Sequence, residues 1–132
     1  AMKPPCMLVT SYVLPAARVI VARSLIKAHD LKPVTVAVRM GLTPAAVTQY
    51  VSGVRGAKLV GALQASDRAR RVLDRLVEEL LNARSEALVI MPLVCELCRI
   101  VREEHMLCSI CDLARRRHEC DLCLVGGCRM GR

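Results

Sequence analysis

The sequence predicts an all-α protein in three parts: an N-terminal arm over 1–13, a five-helix domain over 14–84 and a small helical cysteine-rich module over 85–132. Three observations carry this assignment. Apolar residues recur every three to four positions through 14–29 and 67–82, the spacing that lines one side of a helix. Pro33–Gly53 reads PVTVAVRMGLTPAAVTQYVSG, two short helices around a glycine turn. Seven of the eight cysteines fall between Cys95 and Cys128, most of them in Cys-x2-Cys pairs.

Each element has its own local cause. The apolar arm contains the isolated Cys6, which reads as a small buried residue. The first helix starts near Leu14-Pro15 and runs to about His29, with Ala17, Ile20, Val21, Ser24, Leu25 and Ala28 inward. His29 closes it, where positive charge suits the helix C-terminus. The second helix opens at Pro33 and carries Val36, Ala37 and Met40 at helical spacing. Gly41 supplies the positive φ that a sharp turn between helices needs.

Thr43 then serves as N-cap, and Pro44 occupies the first helical position, where a missing N–H costs nothing. The third helix points Val47, Tyr50 and Val51 inward and leaves Ala45, Thr48, Gln49 and Ser52 outward, until Gly53 ends it. A short fourth helix covers Leu59–Leu63, weakened by Gly56 and Gly61.

Ser66 caps a strong fifth helix over Asp67–Asn82, with Val72, Leu73, Leu76, Val77, Leu80 and Leu81 as its apolar stripe. The stripe reads as core, with a dimer seam as its second reading. Arg70/Asp74 and Arg75/Glu79 stand at i, i+4 on the outer side. A further helix starts at Ser85 and runs through Val94, with Pro92 as a kink or stop.

Composition narrows the class of function. The chain has 132 residues and a formal net charge of +8, unevenly placed. Residues 1–66 hold eight Lys/Arg against the single acid Asp30, a net +7; residues 67–132 hold twelve Arg against eleven acids, a net +1. The excess favours a polyanionic partner for the first half, against the plainer reading of a solvated basic surface. With only Tyr12 and Tyr50 as aromatics, the chain lacks the stacking platforms of single-strand binders.

Small and amide side chains on the outward side of a short third helix suit double-stranded DNA read in the major groove. Arg55 and Lys58 follow that helix and can reach backbone phosphates, or simply form a solvated loop. The longest apolar run, Ala87–Cys95, falls short of the ~20 residues a membrane span needs, and no signal-like segment opens the chain. The expectation is a cytoplasmic protein with no membrane partner. Neither a carboxylate pair, a phosphate-cradling glycine loop nor a Cys/His dyad stands out, so an enzyme is not expected.

GLTPAAVTQYVSG, with the order of helices around it, resembles the Cro/lambda-repressor type of helix–turn–helix regulators, five-helix domains that bind operator DNA, usually as dimers. Ala37 falls where that family keeps a small residue between the two helices, Gly41 at its turn, and Val47 and Tyr50 at inward recognition-helix positions. The likeness covers about 14–84. LPAARVIVARSLIKAHDLKPVTVA and LTPAAVTQYVSGVRG are similar to archaeal predicted transcriptional regulators that add a C-terminal cysteine cluster.

The resemblance implies a homodimer that reads DNA through Thr43, Ala45, Thr48, Gln49 and Ser52, with Arg55 nearby. Gln49 is the base-reading candidate, since an amide pairs bidentately with adenine, and Thr43 offers a phosphate contact. Pro44 stands where many relatives carry a DNA-reading Gln, so one specificity contact is missing.

The cysteines run C95-x2-C98-x9-C108-x2-C111-x8-C120-x2-C123-x4-C128, with His105 and His118 between pairs. Sulfurs three residues apart reach one metal centre, and two such pairs complete a four-thiolate site. Cys95, Cys98, Cys108, Cys111, Cys120, Cys123 and Cys128 are therefore the expected ligands, and His105 and His118 secondary candidates. The centre is read first as an iron–sulfur cluster of the 4Fe–4S type, because thiolates dominate and Cys120/Cys123/Cys128 plus a distant cysteine is similar to cluster-bearing bacterial regulators. Zinc is the alternative, and disulfides the structural one, credible where scarce amides permit a thermophile.

Two functions follow. The first is a sequence-specific DNA-binding transcriptional regulator whose cysteine centre senses redox state or iron. The second is an iron–sulfur or zinc carrier, or redox protein, that uses the helical domain for docking.

Overall fold

The computed structural model describes residues 9–53, 59–82 and 87–109. Helices account for all the regular structure among them, with no strand. In chain order they are α1 (Leu14–Arg23), α2 (Pro33–Met40), α3 (Pro44–Ser52), α4 (Val60–Ala65), α5 (Asp67–Leu81) and α6 (Ala87–Glu103), followed by a 3-10 turn at Met106–Ser109.

α1 is the central element. Single π-helical turns, Val9–Val13 and Ser24–Ala28, extend it at both ends. It packs against α3, α4 and α5. A helix enclosed on several sides must be apolar nearly all round, and small residues let its neighbours approach. Ala16, Val19 and Ala22 are accordingly buried beside Ala17, Val21 and Leu25, so the six-residue inward stripe read from the sequence is too narrow. Ala28, expected inward, is exposed because the chain is already leaving the core there. The exit is closed by Asp30 at φ 54 and by the Leu31 amide donating to the Leu25 carbonyl at 3.0 Å. Residues 9–13, assigned to an arm by the sequence, are helical; residues 1–8, Cys6 among them, lie outside the described residues.

α5 repeats its sequence pattern closely. Ala69, Val72, Leu73, Leu76, Val77 and Leu80 are buried, and Leu81 is partly so. They meet α6, α1 and α4 within the same chain. The stripe is core. Ser66 caps α5 by accepting from the Ala69 amide at 3.2 Å, and its hydroxyl donates to Glu104 at 2.9 Å. The expected i, i+4 pairs give way to other partners: Arg70 turns back to Asp67, and Arg75 reaches Glu96 on α6 at 3.7 Å.

α6 departs most from expectation. It passes through Pro92 and continues to Glu103, instead of stopping near Val94. Pro92 removes the N–H that would serve the carbonyl of Leu88, but Leu88 is 89% exposed and water can take that role. Leu93, Leu97, Ile100 and Val101 of α6, with Leu107 beyond it, join the residues of α1, α2, α3 and α5 in one hydrophobic cluster. Described residues on both sides of position 84 therefore share one core. No helix of the described residues is long and apolar enough to cross a membrane.

The α5–α6 seam is edged by charge. Arg68 donates to Glu103 at 2.6 Å and approaches Glu104 at 3.7 Å, while Arg99 lies 3.9 Å from Glu103. The hydrogen bond from Arg68 is the main cause holding the Glu103 carboxyl below its ordinary value, against a smaller opposing effect of burial. A depressed folded-state value means the stabilisation is present above the ordinary glutamate range and is lost as pH falls through the folded value. Glu103 is 39% exposed, so solvent keeps the effect small. Thermal melts from pH 6 to pH 3 should show a shallower acid loss for Glu103→Gln than for the parent.

Candidate nucleic-acid interface and cysteine face

α2 and α3 form the helix–turn–helix by local chemistry. Gly41 takes φ 66 and its amide donates to Val38 at 3.3 Å, while Leu42 donates to Ala37 at 2.8 Å. Thr43 is extended and its hydroxyl accepts from the Ala46 amide at 3.1 Å, with Pro44 next in the helix. Val47 and Tyr50 are buried, and Val51 is half-buried. Ala45, Thr48, Gln49 and Ser52 all face solvent, as does Thr43. Thr48 donates to the Pro44 carbonyl and Ser52 to the Gln49 carbonyl, both at 3.1 Å. The Gln49 side chain makes no hydrogen bond among the described residues, so its whole donor–acceptor capacity points outward.

Arginines of α1 hold this helix from behind, a role the sequence did not disclose. Arg18 donates to the Tyr50 hydroxyl at 3.3 Å, and Arg23 Nε donates to the Val51 carbonyl at 3.2 Å. The second bond places a cation at the negative end of α3. Gly53 has φ 82, and a Cβ there would lie 3.2 Å from Arg23 Nη2. At Gly41 a Cβ would meet nothing within 4 Å. Gly53→Ala should therefore cost about 2 kcal/mol, and Gly41→Ala about 1 kcal/mol for backbone strain alone. Urea unfolding of the two variants checks the order, and a cycle with Arg23→Ala should show non-additivity only at position 53.

Arg39 plays the same part at another junction: its Nη1 donates to the carbonyls of Leu80 at 2.8 Å and Leu81 at 2.5 Å, closing the C-terminal end of α5. Arg55 and Lys58 lie outside the described residues.

The cysteine pattern is only partly covered. Cys95 and Cys98 sit inside α6, not at a turn, and neither is in a disulfide. Cys108 belongs to the 3-10 turn Met106–Ser109. Cys111, Cys120, Cys123, Cys128, His118 and Arg115–Arg117 lie outside the described residues. His105 is exposed at φ 56. Among the described residues no group of three or more metal-binding side chains comes together. What α6 does bring together is Cys95, Cys98 and Arg102, at i, i+3 and i+7 on one side of the helix. Leu93, Leu97, Ile100 and Val101 are buried in the core, and Cys98 is partly buried against the same cluster.

No family model matches the chain, and neither a curated protein nor a solved structure matches it.

Proposed function

We propose that the protein is a sequence-specific DNA-binding transcriptional regulator with a five-helix, Cro/lambda-repressor-like arrangement over α1–α5. α3 enters the major groove and the C-terminal cysteines bind a metal centre, an iron–sulfur cluster or zinc. The observation that carries this reading is the outward side of α3. Ala45, Thr48, Gln49 and Ser52 stand exposed on a short helix whose other side is fixed by Val47, Tyr50 and two arginine anchors. A helix held that firmly presents its free side in one orientation, which base readout needs.

Two copies related by a twofold axis would read two half-sites, and the exposed apolar side chains Val34, Val38, Leu88 and Met91 offer surface for such an association. No catalytic role is assigned. Loss or oxidation of the metal centre would alter the spacing of the two reading helices and so operator affinity.

The test is binding of a randomised duplex pool, followed by titration of the selected duplex at rising salt. A regulator selects a defined motif and loses affinity steeply with salt. Protein that ignores duplex DNA at low salt removes this reading and leaves a carrier or redox protein.

A further inference from the structure

A cavity of about 360 Å³ opens between α1, α2, α5 and α6, within the size range of small-molecule sites. Ala17 and Val21 of α1, Leu76 and Leu80 of α5 and Leu97 of α6 form its buried wall. Val38 of α2 and Met91 of α6 also line it and are 76% and 50% exposed, so its mouth is apolar.

The charged residues of the lining are Arg18 and Arg39, with no acid among the described residues that line it. Neither arginine is in an ion pair within the described residues. Arg18 Nη1 donates to the Tyr50 hydroxyl at 3.3 Å, and Arg39 Nη1 donates to the carbonyls of Leu80 and Leu81. The Nε and Nη2 groups of both make no hydrogen bond among the described residues, which leaves them for another acceptor.

An apolar cavity with two cations and no counter-charge suits an amphipathic anion. The wall takes the hydrocarbon, and a guanidinium fork takes the head group. A carboxylate fits better than a phosphate, because a second negative charge costs more to take out of water. A second copy of the chain fits worse. A twofold seam over Val38 and Met91 brings a second pair of arginines and no acid from the matching cavity.

We infer that this cavity binds a medium-chain aliphatic carboxylate, with Arg18 holding the head group, Arg39 as second donor, and the tail against Leu76, Leu80 and Leu97. Met40 and Gly41, at the turn between α2 and α3, line the same cavity, and Arg18 is one of the two anchors of α3. A carboxylate that draws Arg18 away from Tyr50 loosens the seat of α3, which couples occupancy to the helix–turn–helix. Binding itself needs neither DNA nor a metal.

Calorimetric titration of the full chain at neutral pH with octanoate, octanol, octylammonium and octyl phosphate tests the ligand class. Octanoate should bind one per chain, with octanol and octylammonium at least about 10-fold weaker because they forgo the charge-assisted bonds. Arg18→Met and Arg18→Gln should each weaken octanoate about 10–100-fold and leave octanol within about twofold, while Arg18→Lys recovers part of the loss. Val94→Phe fills the cavity from a half-buried position on α6 and should abolish octanoate binding with helix content unchanged. The chain has no tryptophan, so in a Tyr12→Phe background the emission reports Tyr50 alone and should change as octanoate binds.

An octanoate affinity equal to that of octanol, or unchanged in both Arg18 variants, removes the anion site. Tighter binding of octyl phosphate overturns the carboxylate class. Octanoate affinity that falls as light scattering shows dimer forming assigns the mouth to a second copy. Failure of the parent to bind octanoate, or full binding by Val94→Phe, overturns the site itself, and unchanged Tyr50 emission on binding overturns the coupling to α3. None of these readouts involves DNA, so a failure of the DNA-binding reading leaves them standing.

Discussion

Gln49→Ala is expected to lower affinity for the selected duplex roughly 10- to 100-fold and leave affinity for random duplex nearly unchanged. The side chain is exposed at the middle of α3, with its amide uncommitted within the described residues. A bidentate amide–adenine pair is worth about 1–3 kcal/mol of discrimination, and alanine removes it without touching the phosphates. Neighbouring hydroxyls cannot replace it, because Thr48 and Ser52 already donate to carbonyls of their own helix. Fluorescence anisotropy with both duplexes measures the ratio. An equal loss on both duplexes would mean that Gln49 positions the helix and does not read a base.

Arg39→Ala is expected to lower stability by about 2–3 kcal/mol and the melting temperature by roughly 8–12 °C. One guanidinium nitrogen serves two carbonyls at the end of α5, so truncation leaves both without that donor at the negative end of the helix dipole. The bond also ties α2 to α5, so the variant should loosen the helix–turn–helix as well. Arg39→Lys should recover part of the loss, since an ammonium can reach one carbonyl but lacks the planar fork. Hydrogen exchange of the α2 amides, compared with those of α6, separates local loosening from global destabilisation.

The parts of the fold that were legible in the sequence are those written in adjacent residues. Thr43-Pro44 and Ser66 mark helix starts, and Gly41 and Gly53 mark helix ends, through bonds that span three or four positions. The division of α3 into buried and exposed sides followed from the same short-range periodicity. The arginine anchors were hidden because their partners lie 28 to 42 residues away, and an Arg on a helix reads as solvated until its partner is placed. Pro92 is accommodated inside α6 with the carbonyl it orphans open to water, and that exposure is not written in the sequence.

The broad burial of α1 is not legible in the sequence for a related reason. Ala16, Val19 and Ala22 lie outside a single stripe, and only a helix with several packing neighbours buries them. The cysteine side of α6 did have a signal: Arg102 follows Cys95 and Cys98 by seven and four positions, the spacing of one helical side.

The arginine anchors also set a thermodynamic ceiling. Of the eight cations in residues 1–66, Arg18, Arg23 and Arg39 are bonded inside the fold, which leaves Lys3, Lys27, Lys32, Arg55 and Lys58 to displace cations condensed on DNA. At about 0.9 counterions per phosphate neutralised, this half can contribute a log–log salt slope no steeper than about −4.5 per protomer. A steeper measured slope would assign phosphate contacts to arginines of the second half, and a slope near that value would confine the footprint to the first.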